Sequence, residues 1–167
     1  MSIAGDLEQI ARQESELHLA RLDAGVAWEL GSRLRAMAIE RGHRVAIDVR
    51  RFGQQLFYVA LDGTTPNNAE WVRRKGNTVA RFLHSSYSVG RNLKAKGTTL
   101  ELSVGLATAD YAAHGGSFPL HVEGAGVVGS VTVSGLPERF DHELVVEALC
   151  ALLGRDYEAL KLGPEEG

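Results

Sequence analysis

The hydrophobic period of this chain changes at Gly42, and that change limits the fold more than any other feature. Before it, Leu19, Leu22, Val26, Leu30, Leu34 and Met37 recur at steps of three or four, the spacing of an amphipathic helix. Arg41 in the last turn and Gly42 beyond it supply the stop signal. After it, Val45, Ile47 and Val49 alternate with Ala46, Asp48 and Arg50, which predicts a half-buried strand. A chain that must bury both a helical stripe and a strand face folds in layers.

The rest of the sequence extends the same alternation of periods. Residues 2–16 read as a short acidic helix. The run Leu56-Phe57-Tyr58-Val59-Ala60-Leu61 is apolar at every position and predicts a central strand. A loop through Gly63 and Pro66 leads to a helix over residues 68–83, and a weaker helical segment runs from Ser85 to about Lys96. Residues 97–113 carry no clear period. Phe118, Leu120 and Val122 then alternate, Glu123-Gly124-Ala125-Gly126 turns, and residues 127–133 return as the antiparallel partner. Ser134-Gly135-Leu136-Pro137 breaks the sheet, and residues 138–153 form the last helix. The expected class is α+β: a central antiparallel sheet built from two hairpins, with helices packed on its faces. One domain spans 1–167, with its core at about 8–153 and a flexible tail at 154–167.

Lys75 stands out within that frame. On a helix over 68–83, at about 100° per residue, Trp71, Val72, Val79, Phe82 and Leu83 share one arc. Arg73, Arg74, Asn77 and Arg81 take the opposite side, and Lys75 falls among the apolar residues. A lysine there must snorkel to water, find a buried acceptor or line a pocket. Other candidates have two readings each. Gly115-Gly116 is either a bend that needs positive φ or a place where backbone approaches a ligand. His114 beside it is either exposed or a ligand group. Asp141-His142 either serves the start of the last helix or forms a carboxylate–imidazole pair. Ser85 and Ser86 lie near Lys75 in sequence, and Ser134-Gly135 forms the turn after the last strand. Trp28, with Ile39, points away from its helix's own stripe, towards either an interface or the N-terminal helix.

Several classes of function are disfavoured. Net charge is −3, so nothing draws the chain to nucleic acid. No run reaches the roughly 18 apolar residues of a membrane span, and the N-terminus does not read as a signal peptide, so a cytoplasmic protein is expected. The single cysteine, Cys150, offers neither a disulfide framework nor a thiolate metal site, and no metal is expected. No nucleophile elbow, Walker loop or metalloprotease motif occurs, which favours binding over catalysis.

Several separated motifs together resemble a known family. They are Trp71-Val72-Arg73-Arg74-Lys75-Gly76-Asn77-Thr78-Val79, His84-Ser85-Ser86-Tyr87, His114-Gly115-Gly116-Ser117-Phe118-Pro119-Leu120, Val133-Ser134-Gly135-Leu136-Pro137 and Asp141-His142. They resemble an uncharacterised family that is similar to the haem-degrading, HbpS/GlcG-like domain family. The resemblance spans roughly Glu8 to Leu153. It implies a profilin-like layered fold, assembly into homo-oligomers, and haem as the cofactor to be tested. If there is catalysis, it implies the haem-degrading kind. The chain departs from the broader pattern by carrying two residues, Ser117 and Phe118, between the glycine pair and the proline, which places Phe118 where it would reshape a pocket. The resulting expectation is an oligomeric small-ligand-binding or scaffold protein, with the alternative of a haem-binding or haem-degrading one. Lys75, Ser85, Ser86, His114, Gly115, Gly116, Ser134, Gly135 and His142 are the candidate ligand residues, a small anion is the expected ligand, and Trp28 and Ile39 are the candidate interface.

Overall fold

The computed structural model describes residues 1–166. Its elements run α1 (Ile3–Glu16), β1 (His18–Leu19), α2 (Ala24–Glu40), β2 (Ala46–Arg51), β3 (Gln54–Ala60), α3 (Pro66–Phe82), α4 (Ser86–Lys96), α5 (Leu100–Val104), β4 (Ser117–Val122), β5 (Gly126–Ser134), α6 (Glu138–Leu153) and α7 (Tyr157–Leu160). The five strands form one sheet in the order β1-β4-β5-β2-β3. The two expected hairpins, β2–β3 and β4–β5, join through an antiparallel β2–β5 pairing. The fold is the layered α+β type read from the sequence, with one addition: β1 pairs parallel to β4 at the edge.

That addition explains the first misreading. Leu19 and Leu22 fit a helical stripe, but Asp23 caps α2 by accepting from the Val26 N–H at 2.9 Å. An aspartate in that position sets a helix start. Leu19 is then free to pair with Val122.

The second correction exchanges two strands. β2, read as half-buried, is central: Ala46, Ile47, Asp48 and Val49 are all buried. β3, read as central, is the edge strand, and its two faces are only partly covered. Apolar residues on both faces of β3 do not make it central, and Asp48 on the polar side of the β2 alternation is fully buried. Asp48 is inside because Arg50 holds it through two hydrogen bonds of 2.7 and 2.8 Å and Gln55 donates a third at 2.6 Å. A buried carboxylate is tolerated once its oxygens are satisfied by charged or amide donors.

The two faces of the sheet differ in chemistry. Ile47, Val49, Phe118, Leu120, Val131 and Val133 meet Leu30, Leu34, Val145 and Leu149 of α2 and α6 in the main core. The face under α3 carries small polar residues instead: Ser117, Ser130 and Thr132 are fully buried, and Ser117 and Thr132 share a hydrogen bond of 2.8 Å. Gly76 brings α3 close to them.

The tail beyond Gly154, expected to be flexible, is packed. Leu160 and Leu162 are buried, and the Leu160 carbonyl accepts from Gln13 at 2.8 Å. Beneath the tail lies an ionic cluster. Asp6 accepts two hydrogen bonds of 2.9 Å from Arg139 and pairs with Arg91 at 2.7 Å. Arg139 also donates to the Tyr87 hydroxyl and the Gly163 carbonyl, and Arg91 pairs with Glu165. Among the described residues no helix is long and apolar enough to cross a membrane.

Candidate functional site

The site begins at the start of α3. Thr65 caps the helix, Asn68 returns a side-chain oxygen to the Thr65 N–H at 2.9 Å, and Pro66 occupies the first turn. This reciprocal cap fixes the phase of the helix. Val72, Lys75, Gly76 and Val79 therefore face inward.

Lys75 does not snorkel. It is 3% exposed, and its Nζ donates to Asp141 Oδ2 at 2.9 Å and to the Val133 carbonyl at 3.3 Å. Asp141, 1% exposed, comes from the first turn of α6. That helix has no side-chain cap at Pro137. Asp141 instead ties the helix to the turn before it, accepting from the Gly135 N–H at 3.3 Å and the Leu136 N–H at 2.9 Å. Burial raises the Asp141 carboxyl above its ordinary range, and the Lys75 charge and the hydrogen bonds pull it back. An ammonium has three donors. Two of them are engaged among the described residues, by Asp141 and the Val133 carbonyl.

Gly115 and Gly116 form the wall behind this pair. Gly116 has φ +133°, and a Cβ on it would lie 2.3 Å from the Val133 carbonyl oxygen and 2.8 Å from Lys75 Nζ. A Cβ on Gly115 would lie 2.2 Å from the Glu138 carbonyl oxygen. The close approach that these glycines permit is therefore to the protein's own α6, β5 and Lys75.

In front of the pair is a cleft of about 270 Å³, lined by Asn67, Asn68, Trp71, Lys75, His114, Ser134, Gly135, Leu136, Glu138 and Asp141. His114 stands against the edge of Trp71 at 5.2 Å, and the Arg74 guanidinium lies 4.4 Å over the same indole. Asn68 donates to the Ser134 carbonyl at 3.3 Å, tying α3 to the end of β5.

Of the residues read from the sequence, Lys75, His114, Ser134 and Gly135 meet in this cleft, with Gly115 and Gly116 at its back. Ser85, Ser86 and His142 do not line it. Ser85 caps α4 by accepting from the Ser88 N–H, and Ser86 Oγ accepts from the Ser117 N–H at 3.1 Å. His142 is fully buried against Tyr87 and Phe118, with Nε2 2.8 Å from Gln13 Oε1. Burial and the nearby Arg139 charge lower it to about 3, so it is neutral at ordinary pH. Asp141 and His142 bond different partners and form no carboxylate–imidazole unit. Phe118 belongs to the main core and does not reshape the cleft.

Trp28 and Ile39 are 67% and 51% exposed. The Trp28 ring meets Phe57 of β3 edge-on at 5.8 Å. The N-terminal helix packs on α4 and α7, not over Trp28.

Asp141 was the residue that sequence reasoning undervalued. Its position in a first turn is explained by the helix dipole alone, and nothing local announces a partner 66 residues away. Asn67, Asn68 and Glu138 carried no signal beyond helix starts.

Comparison with known proteins gives a consistent picture. The chain is 62% identical over 162 residues to a UPF0303 protein of Burkholderia thailandensis, covering 97% of this chain and 98% of that one. Its structure resembles the crystal structure of the Ybr137w protein with a TM-score of 0.82 and 30% identity, covering 89% of this chain and 88% of that one. It also resembles a PduOC:haem complex with a TM-score of 0.66, at 16% identity and covering 78% and 94%. At that identity the likeness concerns the fold alone. The model of the haem degrading protein HbpS-like family matches residues 22–150, and the chain belongs to that family.

Proposed function

We propose that this protein binds a small carboxylate in the cleft floored by Lys75 and Asp141. The observation that carries this reading is a buried ion pair that lines a polar cleft. A buried pair is weak evidence for stability, because desolvation offsets most of its attraction. Its position at a cleft floor fits a site better than a scaffold. Asp141 already balances the Lys75 charge, so the ligand shares the ammonium with it. His114 and Asn67 at the mouth supply further donors, and Glu138 and Asp141 supply acceptors for a hydroxyl.

The family description implies haem, and the cleft does not suit it. Its volume of about 270 Å³ lies below the roughly 300–1,000 Å³ of pockets for larger ligands. His142 is inside the core with one nitrogen bonded to Gln13, and His114 stands against the Trp71 ring. A haemin titration reads this directly: no sharp Soret band should develop that depends on His114 or His142.

L-lactate is the probe for the cleft. Calorimetry should detect binding to the wild type and at least a tenfold loss in a Lys75→Met, Asp141→Asn double variant. Equal affinity in both overturns the reading.

Self-association is part of the proposal. Trp28 of α2 and Tyr58 of β3 are exposed, and among the described residues the outer edge of β3 has no strand partner. An open edge flanked by aromatics is a ready pairing surface. Trp28→Ala should shift the particle to smaller species in analytical ultracentrifugation. A wild type that sediments as an 18.0 kDa monomer contradicts the oligomer.

A further inference from the structure

A second pocket, larger than the cleft and sharing no residue with it, lies where α1, the end of α3, α4 and α5 converge. Its volume is about 530 Å³, within the usual range for small-molecule sites. Leu7, Phe82, Val89, Leu93 and Leu100 give it an apolar interior. Its rim is polar and carries Glu14, His84 and Lys96.

Two observations set this pocket apart from an ordinary gap between helices. Leu83 is the only non-glycine among the described residues with positive φ, at 59°. A β-carbon in that conformation is strained, and such strain gathers at functional places. Here it ends α3 so that Phe82 and His84, on either side of Leu83, both line the pocket. The second observation concerns charge. Glu14 is already satisfied, accepting from the Ser85 N–H at 2.7 Å and pairing with His84 Nδ1 at 2.6 Å. Lys96 has no hydrogen-bond or ion-pair partner among the described residues. The unmet charge at the mouth of the apolar groove is therefore positive.

We propose that this pocket binds a small amphipathic carboxylate, with its hydrocarbon body in the groove and its headgroup at Lys96. The chemistry is that of a medium-length fatty acid. It is independent of the Lys75 cleft: the two share no lining residue, and each can fail without the other.

The test uses the full chain and calorimetry with hexanoate, octanoate and decanoate. Each added methylene contributes about 0.8 kcal/mol when buried, so affinity should rise about fourfold per CH₂ until the groove is full. Octylammonium should bind markedly more weakly than octanoate. Lys96→Glu should weaken octanoate about fivefold, the upper range for an exposed ion pair. Leu93→Trp fills the groove and should abolish binding while the circular dichroism melt is retained. If that variant does not fold, Val89→Phe tests the same space. Affinity that ignores chain length, equal binding of octylammonium, or undiminished octanoate binding in the groove-filling variant overturns the proposal. A groove-filling variant that changes the sedimentation coefficient with no octanoate binding in the wild type also overturns it, and assigns the groove to a second copy of the chain.

Discussion

Two of the buried ionic groups in this protein differ in their surroundings. Asp6, Arg91 and Arg139 lie under the C-terminal tail, where Tyr87, Gly163 and Glu165 close the cluster. Lys75 and Asp141 lie where α3, the end of β5 and the start of α6 meet, and one side of that pair opens onto a cleft. The first cluster ties three helices and the tail together. The second holds two helices at the sheet end and lines the cleft. Buried charge with an unmet valence does not by itself mark a site, since Arg91 Nε in the first cluster lacks a partner too; what distinguishes the Lys75 pair is its opening onto a cleft.

The largest effect is expected at the closed cluster. Asp6→Ala leaves two guanidiniums without their common carboxylate and should cost about 3–5 kcal/mol, the range for breaking a buried pair. Urea denaturation reads this as a drop in midpoint. A cost below about 1 kcal/mol would show that water reaches the cluster, and would erase the contrast with the cleft.

Next comes the open pair. Lys75→Met strands the Asp141 carboxylate and should destabilise by about 3 kcal/mol. The Lys75→Met, Asp141→Asn double variant restores neutrality and should recover most of that loss, since Asn keeps an acceptor for Leu136 N–H. An additive double-mutant cycle would contradict the pairing. Recovery of stability without recovery of lactate binding is the signature of a site.

The smallest effect is graded with pH. His142 is held at about 3 in the fold against about 6.5 in the unfolded chain. Between those values the unfolded state binds more protons, so stability rises with pH and is lost as pH falls. The slope is about 1.4 kcal/mol per unit for one proton. Asp141 and Glu143, raised by burial, act in the opposite sense above their unfolded values near 4. His142→Phe should flatten the acid limb of a urea-midpoint profile between pH 6 and 4. An unchanged limb would place the proton elsewhere.

The sequence made some of this architecture plain and hid the rest. The helices at α3 and α6 and the β4–β5 hairpin are legible because caps, prolines and turn glycines coincide with changes of period. The edge and centre of the sheet are not, because alternation reports which residues are apolar and not how many neighbours a strand has. Asp48 looks solvent-facing in sequence and is buried by partners on its own and the adjacent strand. Lys75 was conspicuous because its face is otherwise apolar. Arg91, Arg139 and Asp6 sit on segments where a charge is unremarkable, and only the packed tail turns them into a cluster. The tail itself looked loose because Leu160 and Leu162 are too few to form a pattern.

The measurement that bears most directly on the central claim is a ¹⁵N NMR titration of the wild type with L-lactate. The account predicts saturable shifts at the Gly116, Gly135 and Leu136 amides, around the Lys75–Asp141 pair, with the Gly163 amide beside Arg139 unmoved. Stationary amides around Lys75, or shifts that are the same at both clusters, would contradict the assignment of the cleft as a binding site.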